Sequence, residues 1–398
     1  MPWKETTPMS ERKAFMSEVL KGEASFSTLC REFKISRKTG YKWLKRYQDE
    51  GLNGLEDQSR RPQHSPRQTP PEVEQVIVEA RQLHPAWGSR KLKRWLENGG
   101  YQSIPAPSTV TDILARHGLM SAEEARKHTP YQRFEMDKPN DLWQMDFKGD
   151  FPIGGSRPRR QGPRCHPLTV LDDHSRFLVG LKACGDETES TVQQHLTALF
   201  REFGLPARML MDNGGPWGGS RDFPYTRLTV WLLRLGIPVS HGRPYHPQTQ
   251  GKDERLHRTL KYELLNTSPF ESSTGDIRDS KVDTLDECQI LFDHWRTVYN
   301  LERPHEALAL DAPAAHYQLS SHPFPEILPP LVFPPGAIIR KVTLTGEVSF
   351  RNRRLRVGAA FRNYPVALLY DDFNDSLLHI YFNTIRIATI NLAIGTVL

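Results

Sequence analysis

The chain has 398 residues, of which 37% are hydrophobic and 25% charged, with a formal net charge of +6. At roughly 100–200 residues per domain this length predicts two to four domains, and the composition excludes bulk disorder. There is no run of about 18 apolar residues to span a bilayer and no apolar signal core at the N-terminus. Cys30, Cys165, Cys184 and Cys288 form no C-x-x-C pair, so neither a zinc module nor a disulfide framework is expected. The expected setting is therefore the cytoplasm, with no membrane partner.

The modest charge is unevenly spread. Residues 1–70 hold 14 Lys/Arg against 9 Asp/Glu; Arg157, Arg159, Arg160 and Arg164 cluster without an acid; residues 340–362 hold seven Lys/Arg against one Glu. Three separated basic segments fit a long polyanion touched at several places.

Residues 10–50 read as helices. Ser10 is a candidate cap for a helix ending near Gly22, and a short helix runs through Leu29 and Phe33. Lys34-Ile35-Ser36 is then a tight turn, with Ser36 capping the next helix. In that helix the spacing points Tyr41, Leu44 and Tyr47 inward and Arg37, Lys38, Lys42, Lys45 and Arg46 outward. A basic helix after a tight turn is the helix-turn-helix pattern, whose second helix enters the major groove of double-stranded DNA. Residues 1–58 are expected to form this domain, and the Gly- and Pro-containing stretch 51–70 a linker.

A second helix-turn-helix-like unit is expected over 70–120. Val73, Val76, Ile77, Ala80 and Leu83 make one stripe, Leu92, Trp95 and Leu96 a second, and Val110, Ile113 and Leu114 a third. Lys91, Lys93, Arg94 and Arg116 would be available to phosphates. Polar residues 121–140 are expected to bridge to the next domain.

From 141 the pattern changes. Strands are predicted at 142–147, 167–171, 177–181, 208–211 and 237–240, and helices at 189–203, 228–235, 251–266 and 285–300. The turn Asp172-Asp173-His174-Ser175 joins the second and third strands. This order predicts an α/β domain with a mixed sheet. After a Pro-rich stretch at 323–335, short β-rich runs at 342–345, 355–357, 366–369 and 378–381 predict a small β-barrel or sandwich over 336–398.

Three carboxylates stand out by position: Asp146 within a strand, Asp212 at the end of another, and Glu254 in the first turn of a helix. Each alone has an ordinary reading, as an edge-strand acid, a turn residue and a helix N-terminal acid respectively. Together they suit phosphodiester chemistry at Mg²⁺, which prefers carboxylate oxygens and needs no nucleophilic side chain. Leu256, Leu260 and Leu264 form the apolar stripe of the last helix, leaving Glu254 near Arg258 and Lys261. Asp253 is also off that stripe, so periodicity alone does not exclude it as the third acid.

Trp143-Gln-Met-Asp146-Phe, Leu210-Met-Asp212-Asn-Gly and the run from Gly242 through Glu254 to Arg258 resemble the three signatures of DDE transposases of bacterial insertion sequences, and Tyr299-Asn-Leu-Glu-Arg-Pro-His305 resembles the motif closing their core. The likeness spans about 135–318. It implies a retroviral-integrase-like, RNase H-like core with a mixed five-stranded sheet over 135–320. It further implies that Asp146, Asp212 and Glu254 are both catalytic and metal-binding, holding two Mg²⁺ ions, with Mn²⁺ as a substitute. Asp146 would bridge the ions. DNA contacts are expected from Arg37, Lys38, Lys42, Lys45, Arg46, Arg243, Lys252, Arg258 and Lys261, with Tyr245 and His246 as weaker candidates. The chain is expected to bind element ends and target DNA as a homo-oligomer, associated with a bacterial nucleoid. It departs from the pattern in having 41 residues between Asp212 and Glu254, with Gly218–Tyr225 as the candidate insertion, and in lacking the zinc-binding front module of retroviral integrases. A non-catalytic DNA-binding regulator derived from a transposase, and a plain nuclease, are the alternatives.

Overall fold

The computed structural model describes residues 7–57, 68–120, 135–154, 162–219, 224–241, 251–267, 282–371 and 373–393, with the backbone of 396–397. The chain divides into two compact units, Met1–Gln68 and Thr69–Leu398.

In the first unit, α1 (Pro8–Lys21), α2 (Phe26–Glu32) and α3 (Arg37–Glu50) pack around Phe15, Met16, Leu29, Cys30 and Trp43. Thr7, not Ser10, caps α1; the two side chains exchange hydrogen bonds with each other's backbone in a capping box. Ser36 caps α3 as expected, accepting from the Thr39 amide at 3.1 Å. The buried face of α3 differs from the prediction. Gly40 and Trp43 point inward, whereas Tyr41 is 58% exposed and stacks on Phe26. Gly40 is required there, because a Cβ would lie 2.8 Å from Cys30 Sγ. Residues 51–55 are not linker: they form a 3₁₀ turn that buries Leu55 completely.

The second unit begins with α4 (Pro71–Leu83), α5 (Ser89–Asn98) and α6 (Pro107–Arg116), joined around Ile77, Trp87, Leu92, Val110 and Ile113. Leu83, expected in the stripe, is exposed, and Val78 is buried instead.

The central sheet comprises β1 (Trp143–Phe147), β2 (Phe151–Pro152), β3 (Arg164–Asp172), β4 (Leu178–Cys184), β5 (Met209–Met211) and β6 (Val239–His241). β1 pairs antiparallel with β3, β3 with β4, and β1–β5–β6 are parallel. Two-residue β2 extends the β1 side of β3. This is the expected mixed sheet of five main strands. Its two faces follow the strand period of two. Trp143 and Met145 bury against α7 (Glu189–Phe203) and α8 (Arg227–Arg234). The opposite face is covered by α9 (Gly251–Leu260), whose Leu256 and Leu260 pack with Leu264 as predicted, and by α10 (Leu285–Leu301) through Phe292 and Trp295. A π-type turn over 261–265 replaces the last turn of the expected helix 251–266.

At the C-terminus, β7 (Ile338–Lys341), β10 (Pro365–Tyr370), β11 (Leu377–Phe382), β12 (Ile385–Asn391) and β13 (Thr396–Val397) form an antiparallel sheet in the order β13-β12-β11-β10-β7, beside the hairpin β8 (Glu347–Phe350) and β9 (Arg353–Arg356). Among the described residues no pairing closes this sheet into the expected barrel. Residues 344–346 turn rather than extend, and Gly346 adopts φ +83 where a Cβ would strike the backbone of 358–359.

Candidate active site

Asp146 lies on β1, two residues after the buried Gln144 and on the same face of the sheet, toward α9. Asp212 follows β5, the parallel neighbour of β1, so both carboxylates sit at the same end of adjacent strands. Asp212 is oriented tightly: Oδ1 accepts from the Gly214 amide at 2.9 Å and from Trp217 Nε1 at 2.6 Å. The Trp217 ring stacks on Phe147, one residue after Asp146. His241 Nδ1 meets the Asp212 carbonyl at 2.8 Å, tying β6 to the same turn.

Burial, followed by the negative charge of Asp212, pushes the Asp146 carboxyl up to about 7. Two carboxylates close enough to repel are a place where a cation is welcome, since its charge reverses both effects. On that ground the pair fits a divalent metal.

His257 of α9 completes the wall. Its Nε2 lies 2.9 Å from Thr169 Oγ1, and its Nδ1 lies 3.8 Å from Asp146 Oδ2. The Thr169 hydroxyl donates to the main-chain oxygen of Asp146. Its proton is therefore spent, so His257 must donate from Nε2 and keep a lone pair on Nδ1, facing Asp146. Burial holds this imidazole neutral, down to about 3. Sequence reasoning missed both residues, although the position of His257, one turn after Glu254, was a legible signal.

Glu254 is exposed in the first turn of α9, and Asp253 beside it is only 1% exposed, with no hydrogen-bond partner on either oxygen. Burial, then the charges of Asp146 and Asp173, push Asp253 well up. The fold thus brings Asp146 and Asp212 together and presents Glu254 on the neighbouring helix without joining it to them. Among the described residues no three His, Cys, Asp or Glu side chains stand close enough to hold a metal ion.

The expected DNA-contacting cations divide into four groups. Arg37, Lys38, Lys42 and Lys45 are exposed on α3, while Arg46 and Lys42 lie over the Trp43 ring. Arg258 and Lys261 are exposed beyond the carboxylates, and Lys261 lies near Lys148, adding its charge to the burial that lowers that lysine. Lys252 differs from expectation: its ammonium is 2.6 Å from Asp173 Oδ1 and largely buried. Arg243, Tyr245, His246, Arg157, Arg159 and Arg160 lie outside the described residues. In the second helical unit the cations read as available are engaged: Arg94 with Asp311, Lys93 with Glu97 and the Ile104 carbonyl, and Arg116 with Glu74. Burial, with the charge of Arg303, pushes Lys91 down to about 8.

Family models match along most of the chain: a helix-turn-helix domain at 11–63, a homeodomain-like domain at 39–114, an integrase core domain at 136–247, a second integrase core domain at 235–313, and the C-terminal domain of IS481 family transposases at 337–398. The chain thus carries matches to helix-turn-helix, integrase core and transposase C-terminal domains in that order. It is similar to the transposase of transposon Tn552 from Staphylococcus aureus, 22% identical over 282 residues, covering 66% of this chain and 57% of that protein. It is also similar to the Gag-Pro-Pol polyprotein of Sheep pulmonary adenomatosis virus, 32% identical over 128 residues, covering 32% of this chain and 6% of the polyprotein. The chain thus spans between a small fraction and just over half of the length of these relatives. Among solved structures it resembles the catalytic core domain of HTLV-2 integrase in complex with magnesium, with 14% identity, 46% of this chain and 99% of that one covered, and a TM-score of 0.31. The core domain of BIV integrase aligns with 20% identity over 44% of this chain and 92% of that one, with a TM-score of 0.29.

Proposed function

We propose that this chain is a transposase that binds the ends of a mobile element, cuts a strand at each end and joins the exposed 3′-hydroxyl to target DNA. The observation that carries the reading is the Asp146–Asp212 pair at matching ends of parallel β1 and β5, within an integrase core domain that follows a helix-turn-helix domain in the chain. Asp146, Asp212 and Glu254 are the proposed ligands of two Mg²⁺ ions, replaceable by Mn²⁺. Bound there, the cations would supply Lewis-acid stabilisation of the attacked phosphate and activate water or a 3′-hydroxyl.

The chain's own residues do the rest. Trp217 and the Gly214 amide hold Asp212 in one orientation, and His257 keeps a neutral wall beside Asp146. Exposed Arg258 and Lys261 would hold a backbone phosphate beside the carboxylates, and Arg37, Lys38, Lys42, Lys45 and Arg46 would hold the duplex on α3. The proposed domains are 1–58, 70–120, 135–320 and 336–398, the last a small antiparallel β unit. Joining two ends to one target calls for a homo-oligomer on double-stranded DNA, in the bacterial cytoplasm at the nucleoid.

The test is cleavage and strand transfer on labelled duplex with Mg²⁺ or Mn²⁺. Asp146→Asn is expected to lower turnover on the order of a thousandfold, because lost charge stabilisation of several kcal/mol converts at about 1.4 kcal/mol per tenfold. Wild-type turnover in that variant sinks the assignment. A non-catalytic regulator would instead bind DNA equally in EDTA and show no nicking, and a plain nuclease would cut without joined products.

A further inference from the structure

Lys252 and Asp173 stand apart from every role assigned above. Asp173 is completely buried at the β3–β4 turn, yet it carries a full set of partners. Its Oδ1 accepts from Gln144 Nε2 at 2.6 Å and lies 2.6 Å from Lys252 Nζ. Its Oδ2 accepts from the Met136 amide at 2.8 Å, and its carbonyl accepts from Lys252 Nζ at 3.1 Å. Gln144 is two residues before Asp146 on β1, and Lys252 is two residues before Glu254 on α9. One buried carboxylate therefore grips the chain at the same short distance upstream of an acid on the strand and an acid on the helix.

We infer that Asp173 and Lys252 are positioning residues, an internal anchor that fixes the first turn of α9 against β1 and so sets where Glu254 stands relative to Asp146. This rests on the transposase reading of the site. A buried ion pair is a poor source of net stability but a strong constraint on geometry, because either partner alone would be an uncompensated charge. Lys252 is thereby withdrawn from the DNA-contacting set.

The test uses the full-length chain and the variants Asp173→Asn, Lys252→Met and Lys252→Arg. Calorimetry with Mn²⁺ is expected to show affinity about tenfold weaker in Asp173→Asn and Lys252→Met, the usual effect of losing a residue that orients ligands, and largely restored in Lys252→Arg. Duplex affinity and its salt dependence should be unchanged in all three. Amide hydrogen exchange across 251–257 reads the anchor without metal and should be faster in Lys252→Met. Unchanged exchange there overturns the anchor. So does a Lys252→Met variant that keeps wild-type Mn²⁺ affinity while its salt slope for DNA falls by about one, which would make Lys252 a phosphate contact. If Asp173→Asn fails to fold, the comparison of Lys252→Met with Lys252→Arg decides. A wild-type chain that binds Mn²⁺ but neither cuts nor joins DNA sinks the transposase reading and leaves the anchor to be judged on exchange and affinity.

Discussion

Asp146 holds its proton to about 7 in the folded chain, against an ordinary carboxyl value of 3.8. Between those values the native state keeps a proton that the unfolded chain has released, so this residue lowers stability as pH rises through the window from about 4 to 7. Asp146→Asn should therefore raise the metal-free melting temperature at pH 8 and leave it unchanged near pH 4, a gain on the order of a few kcal/mol at most. Equal melting temperatures at pH 8 would mean that the site does not repel its own charge. Trp217 acts at the same scale. Removing its 2.6 Å bond to Asp212 in Trp217→Phe, which preserves the stack on Phe147, should weaken apparent Mn²⁺ affinity by about tenfold. Calorimetry reads this, and an unmoved affinity would show that Asp212 needs no orienting.

At the scale of elements, the helices are legible where caps and stripes agree. Ser36 accepts from the Thr39 amide and satisfies one of the orphan donors of α3. Ser36→Ala should cost about 1 kcal/mol, read as faster amide exchange in α3 and weaker DNA binding with no change at the core. Strand existence was equally clear for β1, β3 and β4, whose alternation separates Trp143 and Met145 from Gln144 and Asp146. Residues 342–345 look like a strand by β-branched content but the chain turns at 344–345, and the Gly346 carbonyl takes the Val357 and Gly358 amides. Tyr41 faces solvent, against its spacing, because helical spacing defines a stripe without fixing its phase. Trp43 and Gly40 set that phase once α1 and α2 are present, and no local rule ranks Trp43 over Tyr41.

For the whole molecule, the second unit shares its helices between cores. Leu228 and Leu232 of α8 face the central sheet while Val230 and Leu233 face the C-terminal sheet, where Tyr225 packs edge-on against Phe361. On α10, Phe292 and Trp295 cover the central sheet, and Val298 packs against the α4–α6 bundle, beside which Arg94 pairs with Asp311. The bundle is thus seated on the core through an apolar contact and through Arg94, a cation that the sequence offered to DNA. The exposed cations of α3 remain. Neutralising Lys38, Lys42 and Lys45 together should reduce the slope of log affinity against log salt by about 3, without altering cleavage of DNA already bound at saturating concentration. A slope that does not change would place the duplex elsewhere.

The sequence by itself determined the helix-turn-helix front, the alternating elements of the core and the two aspartates that meet. Each of these depends on local signals: caps, period, turn residues and short motifs. The tertiary structure decided which charges were spent on holding the chain together. Lys252, Lys93, Arg94 and Arg116 are as basic as Lys42 or Lys45, but a cation's partner is set by what the fold places within about 4 Å of it, and at surface or interior dielectric that distance outweighs residue type. It likewise decided that His257 stands against Asp146, that Asp253 turns inward and Glu254 outward, and that one buried aspartate at a turn grips both a strand and a helix, since residues 29 and 79 positions apart in sequence from Asp173 become neighbours only when the sheet forms.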